Sequence, residues 1–98
     1  MLKKEDLGNN RVRVTFEVSR TIWADHIALV GDFNDWDTHT CSLQQTHGDE
    51  DWHISLDLEA GHSYRFRYLV DEQEWMEDNQ ADDYVVNPYG SVDCIVST

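Results

Sequence analysis

Three segments with strict period-two alternation, separated by clusters of turn residues, predict an all-β chain. No stretch of ten or more residues carries a convincing helical period. Strands of this length and spacing indicate an antiparallel two-sheet β-sandwich of immunoglobulin-like shape with about seven strands. The Cys…Trp…Cys spacing of antibody domains is absent.

The first nine residues, with Lys3 and Lys4 but no apolar stretch after them, read as a flexible arm, and residues 10–98 as one domain. Residues 11–19, "RVRVTFEVS", place Val12, Val14, Phe16 and Val18 on one face and Arg11, Arg13, Thr15 and Glu17 on the other. That pattern marks a half-buried antiparallel strand. A second aliphatic run at 27–32 and a short segment near Leu43 follow. Residues 52–59, "WHISLDLE", alternate again through Trp52, Ile54, Leu56 and Leu58, and "YRFRY" at 64–68 does so through Tyr64, Phe66 and Tyr68. Two further strands are expected around Trp75 and at 92–96. The turn signals between them are Asn34-Asp35, His47-Gly48-Asp49, Ala60-Gly61-His62 and Asn87-Pro88-Tyr89-Gly90.

A chain of 98 residues suits one domain. It can bury roughly 65% of its unfolded surface, enough for a core without staples. The hydrophobic content of 40% also argues against disorder, despite 20 acidic and only 7 basic residues. The resulting net charge of −13, with the arginines interleaved among other residues, opposes binding to nucleic acid or to anionic lipid. The longest aliphatic run, 27–30, is far too short to span a bilayer. With no leader-like segment, a cytoplasmic location is expected, with Cys41 and Cys94 as reduced, buried thiols.

Catalysis is not expected. Paired carboxylates set across a cleft would be needed for glycoside hydrolysis, and one small sandwich has little depth for a cleft. No nucleophile elbow, phosphate loop or dinucleotide fingerprint occurs, and no cofactor is implied. The five histidines lack metal-site spacing. Asp78, Asp82 and Asp83 lack the spacing and central glycine of a calcium loop, and read as a solvated acidic loop.

The four tryptophans separate into two kinds. Trp52 shares the face of Ile54 and belongs to the core, and Trp23 in "TIWADHI" is expected to plug one end of the sandwich. Trp36 in "NDWDTH" and Trp75 in "EQEWMED" instead lie among polar residues beside turns. Two exposed indoles could form a patch. Flat rings suit the C–H face of a pyranose, with polar groups at the rim for its hydroxyls, and a protein-docking patch would look much the same. Arg67 on the polar face of its strand, with Ser91 and Asp93 beside the last strand, are candidate rim groups.

The ordered set "VGDFNDW", "LDLEAGHSYRFRYLVD", "EWMED" and "NPYGSVDCIV" resembles the family-48 carbohydrate-binding modules. These are the early-set sandwich domains that precede isoamylase and glycogen branching enzyme barrels, and the module also forms the glycogen-binding domain of the AMP-activated protein kinase β subunit. The likeness covers roughly residues 10–97. It implies an α-1,4-glucan or malto-oligosaccharide ligand, and a glucan-active enzyme or other protein chain as partner. By motif position the family's two stacking tryptophans fall on Trp36 and Trp75 and its basic residue on Arg67. Its C-terminal polar cluster falls on Tyr89, Ser91 and Asp93. Asp93 stands where kinase-type domains carry an amide, so it can accept hydrogen bonds but not donate them. The hairpin "VDEQEW" has no glycine and is one residue longer than in those domains. Two functions from different classes follow: a glucan-binding module, or an interaction domain that keeps the fold and docks another protein through its aromatic surface.

Overall fold

The computed structural model describes residues 2–45 and 50–98. It contains eight strands among them: β1 (Leu2–Gly8), β2 (Arg11–Val18), β3 (Ile27–Gly31), β4 (Trp52–Glu59), β5 (Ser63–Val70), β6 (Glu74–Met76), β7 (Asp83–Val86) and β8 (Val92–Ser97). No α-helix occurs in these residues, and a single 3₁₀ turn, Asp32–Asn34, follows β3. The strands form two antiparallel sheets, as the alternation predicts. One has the order β1-β2-β4 and the other β3-β5-β8-β7. β6 joins the second sheet by pairing with Tyr68, Leu69 and Val70 of β5, while β8 pairs with Ser63 to Phe66.

The core lies between the sheets. Val12, Val14, Phe16 and Val18 from β2 meet Ile27, Leu29, Phe66, Tyr68, Cys94 and Val96 from the opposite sheet. Each fully buried side chain of this size contributes about 1.5–3 kcal/mol by leaving water. Phe16 and Phe66 pack edge to face at 5.1 Å across the centre. Trp52 is buried beside them, as its alternation requires. The segment near Leu43 forms isolated bridges, Ala28 with Ser42 and Gln44 with His53, and it buries Leu43. The turn expected at His47-Gly48-Asp49 lies outside the described residues.

Several expectations change. Leu2–Gly8 is not an arm but an edge strand paired along β2, with Leu2 opposite Phe16 and Asp6 opposite Val12. Its inward positions are Leu2, Lys4 and Asp6, so apolar alternation is missing; inward charges are tolerated, and protective, on an edge. Lys4 Nζ reaches Asp82 Oδ2 at 2.6 Å and so ties this sheet to the loop before β7. β7 itself carries no alternation signal that predicts it.

Burial acts against the Asp82 carboxylate. Hydrogen bonds from Lys4 and the Ser97 N–H, with the charge of Lys4, outweigh it and hold the group below its usual value. A lowered folded-state value stabilises the fold above the unfolded value, and that contribution disappears as pH falls through the folded one. Asp82→Asn is therefore expected to lower the melting temperature at neutral pH, with the gap to the wild type closing in strong acid. Thermal melts of both proteins across pH check this.

Trp23 does not plug the sandwich: it is 95% exposed. Its neighbours Ile22 and Ala24 pack on the core instead, and the side chain between them points outward. Trp23→Ala should accordingly change stability by no more than about 0.5 kcal/mol, which is measurable by urea denaturation. Asp78, expected in a solvated loop, is only 3% exposed. The Tyr68 hydroxyl donates to its Oδ2 at 2.9 Å, and the Gln80 N–H donates to its Oδ1 at 2.8 Å. Burial, and then the charge of Asp78, hold the Tyr68 phenol well above its ordinary value, so it stays a donor. Cys94 is a buried free thiol, while Cys41 is only half-buried.

Candidate functional site

The outer face of the five-stranded sheet carries a trough of ≈ 580 Å³. Its construction begins at Gly31, the last residue of β3. A Cβ placed there would lie 2.4 Å from the carbonyl oxygen of Arg65, so only glycine lets β3 approach β5 this closely before the chain turns. Asn34 then holds the turn. Its Oδ1 accepts from the Gly31 N–H at 3.0 Å, and its amide donates to Leu29 O at 3.0 Å and Thr40 Oγ1 at 3.2 Å. Asp35 and Trp36 both take positive φ, 55° and 58°, a conformation that persists in bulky residues only where surroundings impose it. The Trp36 N–H donates to Gly31 O at 2.9 Å, and its indole Nε1–H donates to Asp32 Oδ1 at 3.0 Å. The ring stays 36% exposed, which answers the placement of an indole beside a polar turn.

The second indole arises from sheet register. Trp75 on β6 pairs with Leu69, which puts its ring on the outer face with Ala28, Val30 and Leu69, a small apolar cluster beneath the surface. Trp75 is 45% exposed. The guanidinium of Arg67, two residues earlier on the same face of β5, lies over the Trp75 ring at 5.2 Å from its centroid. Such cation–π contacts contribute about 0.5–2 kcal/mol. Arg67 also approaches Glu77 Oε1 at 3.8 Å and is mostly buried, so it backs Trp75 as well as lining the trough.

The far rim is the turn between β7 and β8. Asn87 organises it, its Oδ1 accepting from the Tyr89 N–H at 3.0 Å and the Ser91 N–H at 3.1 Å. Tyr89 stands 93% exposed on this turn. Asp93 forms part of the floor and is 5% exposed. Its Oδ1 accepts from Asn87 Nδ2 at 3.2 Å, and Arg65 Nη1 lies 3.8 Å from its Oδ2. The structure thus brings Trp36, Arg67, Trp75, Tyr89 and Asp93 to one trough. Ser91 does not line it; its backbone N–H donates to Asn87 Oδ1 at 3.1 Å and its carbonyl accepts from the Asn87 N–H at 2.8 Å, which closes the turn.

Asp32, Arg65, Asn87 and Pro88 also line the trough, and none of them is a site candidate on the sequence alone. Arg65 was within reach, because it alternates with Arg67 on the same face of one strand. Asp32 and Asn87 act through turn hydrogen bonds that residue spacing does not reveal. Among the described residues, no group of three or more His, Cys, Asp or Glu could hold a metal ion, and no helix is long and apolar enough to cross a membrane.

A two-sheet sandwich that displays an aromatic-rimmed trough on one sheet has the architecture of a ligand-binding module. The family model for carbohydrate-binding module 48 (isoamylase N-terminal domain) matches residues 6–90, and the chain belongs to that family, one of non-catalytic carbohydrate-binding modules. Among curated proteins, none matches the chain. Among solved structures, the chain is similar to the enterobactin esterase FES from Shigella flexneri, crystallised in the presence of 2,3-dihydroxy-N-benzoyl-glycine. The superposition gives a TM-score of 0.74 at 11% identity over 98% of this chain, a likeness of fold. The chain spans 32% of that esterase.

Proposed function

We propose that this chain binds α-1,4-linked glucans of the glycogen or starch type, with Trp36 and Trp75 stacking on glucose rings. The observation that supports the reading most is convergence. Three aromatic side chains from separate segments, Trp36, Trp75 and Tyr89, open onto one trough together with Arg67. An indole face carries the negative end of its quadrupole, and the axial C–H bonds of a pyranose offer a weakly positive, apolar surface to it. The hydroxyls around the sugar then need polar partners at the edges of the rings. Asp93 and Asn87 are such groups at the floor, Arg67 at the middle and Arg65 beside them.

In this reading Ser91 shapes the Tyr89 turn rather than meeting sugar. The module delivers itself, or a glucan-active partner, to a polysaccharide in the cytoplasm. Native gels cast with and without glycogen test it. Specific retardation that free maltoheptaose relieves is the expected result. Unchanged mobility, with dimers appearing at higher concentration, would favour a protein-docking role instead.

A further inference from the structure

Asp32 joins the Trp36 indole to the sheet. Its Oδ1 accepts from the indole Nε1–H at 3.0 Å, while its Oδ2 accepts from the backbone N–H of Arg65 at 2.8 Å. Arg65 in turn leads to Asp93 and so to Asn87 and the Tyr89 turn. We propose that Asp32 is a positioning residue that sets the ring plane of Trp36 before any ligand arrives, an inference that rests on the glucan reading of the trough.

The physical reason lies in the ring's situation. Trp36 is 36% exposed, so packing surrounds only part of the ring. A ring free to rotate must be immobilised on binding, and that ordering weakens affinity. A carboxylate fixed at its second oxygen by β5 removes the freedom in advance, because the bond to Nε1 sets the direction of the indole edge. The charge on the acceptor makes both bonds stronger than neutral ones. Asparagine cannot reproduce the arrangement. It replaces one of the two acceptor oxygens with a donor NH2, so it accepts from either the indole or the Arg65 N–H at these two positions, but not from both.

The test uses the full chain, Asp32→Asn, Asp32→Ala and Trp36→Ala. Two quantities are read: hydrogen exchange of each indole N–H by NMR without ligand, and the Kd for maltoheptaose by calorimetry. The inference expects faster exchange at the Trp36 indole of Asp32→Asn, with the Trp52 and Trp75 indoles unchanged, and binding weakened about two- to tenfold. Asp32→Ala should show the same with a larger loss. If it does not fold, the isosteric asparagine decides alone. Unchanged Trp36 exchange, unchanged Kd, or equal loosening at Trp75 would overturn the positioning role, while Trp36→Ala still failing to bind would leave the glucan site standing. Wild-type affinity in Trp36→Ala, or no binding by the wild type, would overturn the glucan reading and this inference with it.

Discussion

Trp36→Ala is expected to abolish detectable glucan binding while leaving the fold intact. An anchoring aromatic contributes on the order of 1–3 kcal/mol to an interface. Each ~1.4 kcal/mol is tenfold in Kd, so a weak single-site affinity would leave the measurable range. The ring is partly exposed, and the turn that carries it is held mainly by Asn34. Its removal should therefore lower the melting temperature only modestly. Trp52→Ala is the counterpart: that ring is buried at the start of β4, and its loss should cost about 3–5 kcal/mol of stability. Glycogen retardation and thermal melting of the two variants, side by side, separate a binding tryptophan from a core one. Full retention of binding by a folded Trp36→Ala would remove Trp36 from the site.

Gly31→Ala should be strongly destabilising. The added methyl would stand 2.4 Å from Arg65 O and 2.9 Å from both Phe33 Cζ and Phe66 Cβ. Phe33 could swing away, but the Arg65 carbonyl is backbone in the strand paired with β3, and Phe66 is wholly buried. Relief therefore requires β3 and β5 to part where they pair. Overpacking of this kind costs about 1–3 kcal/mol or more. In a domain of this size each kcal/mol lowers the melting temperature by roughly 4–8 °C. Glycine is needed here for close approach and not for a left-handed backbone, since φ is −173°. Because Arg65 also anchors Asp32, the surviving folded fraction should bind glucan less well. A melting curve within a degree or two of wild type would show that the strands yield more easily than this geometry allows.

What residue patterns revealed, and what they hid, follows from the range of the forces involved. β2, β4 and β5 were legible because a half-buried strand needs an apolar side chain at every second position. β1 was not, because an edge strand with Lys4 and Asp6 facing inward meets no such need. The sequence around Trp23 predicts a plug at one end of the sandwich. The backbone at Ile22 and Ala24 decides which way position 23 points, and it points to water. The acidic neighbours of Asp78 predict a solvated loop, yet Tyr68, ten residues away in sequence, supplies the hydroxyl that makes its burial tolerable. The site divides in the same way. Trp36 and Trp75 stood out as large apolar rings in polar company. Asp32 and Asn87 become visible only when turn geometry joins Asp32 to the Trp36 indole and Asn87 to Asp93 and the Tyr89 turn.

The most direct measurement is chemical-shift mapping of the backbone and indole N–H groups during titration with maltoheptaose. The account predicts saturable shifts concentrated at Trp36, Arg67, Trp75 and the Tyr89 turn, with Trp23 and the β1-β2-β4 sheet unaffected. Shifts centred on Trp23 or on that other sheet, or none at millimolar sugar, would contradict it.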